Sequence, residues 1–230
     1  MDVEVRLDQA MLIVGVDVGS VRRKGGFSWA TPDEHIYDDD DPTRLGCLLV
    51  EALNNASRVA VAFECPLAVP IPSVRGESWT ELGRARRGEG NRSWSAGAGT
   101  GALATGLVQV AWLCRYLVEH CHAAPRVTTQ LDYFAAAKAD LLIAEAMVTS
   151  DGKPEPVNRL QDHADAVAAA KRLQQMLTAP GGEPSLDVSC APHVALNLAA
   201  AAAMHAGMDI DESELRKDIS VAKAKPIVTD

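Results

Sequence analysis

The sequence predicts an α/β domain on a mixed sheet, an antiparallel hairpin meander followed by parallel strands, flanked by helices. Three observations carry this. Residues 11–18, 58–64 and 141–148 are short apolar runs that read as buried strands. The first run is followed at once by a polar turn and a second apolar segment, with no room for a crossover helix. Helical spacing separates the later runs, as parallel neighbours require. The opening hairpin argues against a doubly wound sheet made only of crossovers.

Strand one is expected over 11–18. Residues 20–26, with Arg22, Arg23 and Lys24, form the polar turn, and 26–30 return as strand two. A short third strand is expected near His35, Ile36 and Tyr37. Asp41 then suits an N-cap and Pro42 the first helical position, opening a helix that runs to Asn54. The strand over 58–64 follows. Residues 65–99 lack periodicity and are expected to be a long Arg/Gly-rich loop insertion. A long helix is expected over 101–122, where Leu103, Leu107, Val110, Leu113, Leu117 and Cys121 keep helical spacing. A short helix over 131–138, a strand over 141–148, a turn over 152–156 and a helix over 161–177 complete the core. Pro180, Gly181 and Gly182 break the pattern. The expected organisation is a domain over 1–178 and a helical C-terminal extension over 179–230. That extension comprises an alanine-rich helix over 194–205 and a charged helix near 212–224.

Composition narrows the function classes. The 230 residues are 47% hydrophobic but only 4% aromatic, so Ala, Val and Leu must fill the core. A net charge of -9 argues against a protein that coats nucleic acid non-specifically. It leaves room for a nuclease with a local basic patch. The five cysteines form no Cys-x-x-Cys pair, which fits free thiols in a reducing compartment. Asp2, Glu4 and Asp8 precede the first apolar run, unlike a secretory leader, and no membrane span is expected, so the expected location is the cytoplasm.

Carboxylates supply the chemical signal. Asp17 lies inside the first apolar run, Glu64 ends the second, and Glu145 lies within the third. A buried carboxylate is costly unless it is paired, hydrogen-bonded or bound to a cation. Asp162 and Asp165 lie three apart at the start of a helix and share a face. They would also suit the positive end of a helix dipole without any catalytic role. Ala164, Ala166, Ala168, Ala169 and Ala170 let that helix approach a sheet closely. Two-metal phosphoryl chemistry needs several carboxylates converging on cations about 4 Å apart, and magnesium prefers such hard oxygen donors.

The combination Val14-Gly15-Val16-Asp17-Val18-Gly19-Ser20, Glu64 after an apolar strand, and Asp162-His163-Ala164-Asp165-Ala166-Val167-Ala168 resembles the RNase H-like superfamily. Within it, the chain is similar to RuvC-type resolvases and to a related uncharacterised group of predicted nucleases. Phe63-Glu64-Cys65-Pro66-Leu67 and the arginine-rich loop after it look like that second group. The resemblance covers roughly 11–178, and the element order is that of the RNase H-like fold. It implies a metal-dependent nuclease whose catalytic carboxylates and metal ligands are Asp17, Glu64, Asp162 and Asp165, holding Mg2+ or Mn2+. Glu145 is an additional candidate ligand. The tail after Pro180 has no assigned counterpart.

Nucleic acid is the expected partner. Between Ser73 and Ser95 five arginines face three glutamates, a local charge of +2 in an acidic chain. Arg75, Arg84, Arg86, Arg87 and Arg92 are candidate phosphate ligands, and Trp79 or Trp94 could stack on bases. A solvated surface loop is the competing reading.

Other motifs read blandly. Residues 97–101 are glycine-rich but lack a P-loop ending. Glu119, His120, Cys121 and His122 point in different directions on a helix. The acidic run 38–41 reads as a solvated turn, and His163 is either a proton-transfer aid or an exposed helix histidine. Two alternatives to a nuclease stand. One is a nucleotide-binding or phosphotransfer protein of actin-like ATPase type, for which no second phosphate loop is found. The other is a non-catalytic binding scaffold. The alanine-rich tail helices pack on the core or make a homodimer contact.

Overall fold

The computed structural model describes residues 11–23, 26–33, 36–37, 41–90, 93–148, 153–155, 161–179 and 188–224. The centre is a mixed, mostly parallel sheet flanked by helices. Its strands are β1 (Met11–Asp17), β2 (Ser28–Ala30), β3 (Ile36–Tyr37), β4 (Arg58–Phe63), β6 (Val127–Thr128), β7 (Leu141–Met147) and β9 (Val221–Lys223). The order is β3-β2-β1-β4-β7-β6, with β9 also on β7. β2 runs antiparallel to β1 and β3, whereas β4, β6, β7 and β9 join in parallel. β5 (Ala68–Ile71) and β8 (Val194–Asn197) form a separate antiparallel pair.

Alternation along the strands divides the interior into two layers. Val14, Val16, Val61, Phe63 and Ile143 face one core. It is completed by α1 (Pro42–Asn54), α2 (Gly97–His120) and α5 (Leu198–Ala206). Ile13, Ala60, Ala62, Leu142 and Ala144 face the other, against α3 (Leu131–Ala135) and α4 (Gln161–Thr178). The α1 entry is as expected, with the Asp41 carboxylate accepting from Thr43 N–H at 2.9 Å and Pro42 opening the helix.

Small residues set the closeness of α4. A Cβ added at Gly15 in β1 would stand 2.1 Å from the Ala166 carbonyl oxygen and 2.5 Å from the Ala170 nitrogen. Helix backbone therefore lies directly on strand backbone, as the alanine run allows. At Gly106 in α2 a Cβ would meet the Cys65 sulfur at 2.2 Å, so α2 crosses close above the residue that follows Glu64.

Several elements differ from expectation. The 65–99 segment contains β5 and a 3-10 turn, Ser78–Glu81, and α2 begins within it at Gly97. The glycine-rich stretch 97–101 is thus the first turn of α2. Residues 194–197 are strand, and the alanine helix starts at Leu198, capped by the Asn197 side chain. The charged stretch forms a 3-10 turn, Glu212–Arg216, and then β9. Where a helical extension was expected, 188–224 supplies two strands, and Ala199, Ala202 and Ala203 sit in the α1–α2 core. Among the described residues one helix, α2, is long and apolar enough by composition to cross a membrane, and its Val110, Leu113 and Leu117 pack into that same core. The expected turns at 38–40 and 180–182, Gly152 and Pro156 of the third turn, and His35 of the third strand lie outside the described residues.

Candidate metal centre

Parallel β1 and β4 end side by side, with Val16 opposite Phe63. Asp17 is the last residue of β1, and Glu64 follows β4. The Glu64 N–H donates to the Val16 carbonyl at 2.8 Å, which holds the two carboxylate positions in register. α4 contributes Asp165 next to Ala166, one of the residues lying on Gly15. Ligand atoms of Asp17, Glu64 and Asp165 all lie within 4.8 Å of one another. Asp165 is buried and the other two are half-buried.

Three like charges this close repel by roughly 3 kcal/mol per pair at an effective dielectric near 20. Positive charge is the natural compensation. Lys153 provides some, its Nζ lying 2.8 Å from one Asp165 oxygen, while Gln161 Nε2 donates to the other at 2.7 Å. Each carboxylate oxygen has two lone pairs, so Asp165 retains capacity for a cation. An all-oxygen acidic set of this kind suits Mg2+ or Mn2+. Next to Glu64, a hollow of about 40 Å³ is bounded by Pro66, Gly99 and Met147. The negative field is felt by Cys65, whose thiol is held well above its usual range, first by burial and then by the charges of Glu145, Glu64 and Asp17.

The other expected ligands go elsewhere. Asp162 lies outside the triad and pairs with Arg23 of the hairpin turn at 3.3 Å. Glu145, expected as a further metal ligand, is committed to an internal ion pair. Arg86 grips its two oxygens at 2.6 and 2.8 Å, and the Leu67 N–H donates to it at 2.9 Å. Arg86 also binds Glu89 at 3.0 Å, and Glu89 accepts from the Arg86 and Trp94 backbone N–H groups, both at 2.8 Å. Burial opposes charge on Arg86, but the two carboxylates outweigh it and raise its pKa further.

That network corrects the reading of Arg86 as a phosphate ligand. Its side chain is 1% exposed, as is that of Glu145. Arg75, Arg84 and Arg87 are exposed, with Arg84 paired to Glu81, and Arg92 lies outside the described residues. His163 is buried, not exposed. The sequence reading missed Lys153 and Gln161. Gln161, four residues before Asp165 on one helix face, was detectable by spacing, whereas Lys153 lies outside any helix or strand, with no local signal. Comparison of the chain with protein-family models, with curated proteins and with solved structures found no match.

Proposed function

We propose that this protein is a metal-dependent nuclease of RNase H-like type, hydrolysing phosphodiesters with Mg2+ or Mn2+ held by Asp17, Glu64 and Asp165. The observation that carries the reading is the convergence of these carboxylates, from three separate elements, within 4.8 Å. A strand order of β3-β2-β1-β4-β7, with β2 antiparallel, supports the same fold type. A divalent cation in such a site neutralises phosphate charge and makes water a better nucleophile. The chain's own groups do the positioning. Gln161 and Lys153 orient Asp165, and Asp162 with Arg23 ties the start of α4 to the hairpin turn. Arg75, Arg84 and Arg87 are the exposed cations among the described residues of the inserted segment, and we assign them to the phosphate backbone.

Calorimetric titration with Mg2+ and Mn2+, alone and with a short oligonucleotide, tests this beside Asp17→Asn/Asp165→Asn. The wild type should bind and cleave, and the variant should lose both while keeping its unfolding transition. Equal binding and cleavage by the variant would remove the triad from the mechanism.

A further inference from the structure

Lys153 lies in the connection between β7 and α4, and its Nζ is 2.8 Å from one Asp165 oxygen. The other oxygen accepts from Gln161 Nε2 at 2.7 Å, and the same Nε2 donates to the Pro154 carbonyl at 3.1 Å. Gln161 therefore fixes Asp165 without a charge, and ties to it the segment that carries Lys153.

The ammonium adds what Gln161 does not. A divalent ion seated among Asp17, Glu64 and Asp165 draws on the carboxylate that Lys153 already holds. Two cations on one carboxylate repel each other, so a lysine that served only as a support would work against the ion. The two side chains also differ in access. That of Asp165 is 4% exposed and that of Lys153 is 31% exposed, so an incoming anion can reach the ammonium. A lysine carries a point charge with three donors on a flexible four-carbon stem, and it binds phosphate as well as carboxylate. The neighbouring guanidinium groups are engaged elsewhere, Arg23 with Asp162 and Arg86 with Glu89 and Glu145.

We propose that Lys153 is a resident counter-ion of the triad, which yields Asp165 to the divalent ion and takes a phosphate oxygen of the substrate in exchange. This rests on the nuclease reading and adds a substrate-binding residue to it. Before the ion arrives, the ammonium offsets part of the repulsion among the three carboxylates. Once the ion takes over that role, the ammonium is released beside the metal, where the phosphate is bound. Metal and phosphodiester then favour each other's binding, and the coupling is reciprocal.

The test titrates wild type, Lys153→Met and Lys153→Arg with Mn2+ alone, then with a phosphorothioate oligothymidylate, which resists hydrolysis, at saturating Mn2+. Urea midpoints confirm that each variant is folded. Lys153→Met should bind Mn2+ alone at least about threefold more tightly, because the competing cation is gone. With Mn2+ present it should bind the oligonucleotide about tenfold more weakly, the scale of one charge-assisted hydrogen bond. Lys153→Arg should restore most of the oligonucleotide affinity. Weaker Mn2+ binding by Lys153→Met would reduce Lys153 to a support for Asp165 and overturn the inference, as would unchanged oligonucleotide affinity. Both outcomes leave the metal centre standing. Absence of Mn2+ binding in all three proteins, with and without oligonucleotide, refutes the metal reading itself and the exchange with it.

Discussion

Replacing Gly15 by alanine puts a methyl group where α4 crosses β1. The new carbon would stand 2.1 Å from the Ala166 carbonyl oxygen, against the 3.4 Å at which ordinary contact begins. α4 must therefore withdraw by about 1.3 Å, because the obstructing atoms are helix backbone and cannot rotate away. Overpacking of this kind costs about 1–3 kcal/mol and occasionally more. Asp165 precedes Ala166 and Asp17 lies two residues after Gly15, so the withdrawal falls between two members of the triad. Sites of this type tolerate only about 0.5 Å of misplacement. Gly15→Ala should lower the urea midpoint and weaken Mn2+ binding at least tenfold under conditions where it is folded. Gly101→Ala in α2 is the control, since its Cβ meets nothing within 4 Å and alanine favours helix. An unchanged midpoint with unchanged Mn2+ affinity in Gly15→Ala would refute the claim that this contact holds the triad together.

Two further outcomes concern stability. Arg86→Met strands two carboxylates in the interior and should cost about 3–5 kcal/mol in urea unfolding. Arg86→Met/Glu89→Gln/Glu145→Gln should regain most of it, and a loss under about 1 kcal/mol in the single variant would contradict the pairing. The Arg126 guanidinium, hydrogen-bonded to Asp140, holds that carboxyl below its ordinary 3.8. A depressed folded-state pKa means the contribution is present above the unfolded value and is lost as pH falls through the folded one. The difference in urea midpoint between wild type and Asp140→Asn should therefore be constant above about pH 5 and vanish in strong acid. A difference that persists at the lowest pH would count against the ion pair.

Local pattern revealed the parts of the site that depend on local pattern. Asp17 stands out because it sits inside an apolar run, Glu64 because it ends one, and Asp165 because it opens an alanine-rich helix. The fate of Glu145 depends on Arg86, 59 residues away, and no periodicity encodes that meeting. The late strands were hidden for other reasons. In β8 the larger apolar side chains Val194 and Leu196 face outward while Ala195 and Asn197 are buried. That inverted alternation runs straight into the alanines of α5, so the two read as one helix. β9 is three residues long and follows a charged stretch with helical composition. Only its partner β7 makes it a strand.

The outer edge of β7 is covered in two pieces. β6 pairs with its first residues, Leu141 and Leu142, and β9 with its last three, Glu145, Ala146 and Met147. During synthesis the first piece is made before β7 and the second nearly eighty residues later. Until Lys223 leaves the ribosome, half of this edge presents bare backbone donors and acceptors to any other nascent strand. β9 thus acts as a late closure, and chains that stop short of it, by premature termination or proteolysis, would leave a sticky edge for chaperones and proteases to find.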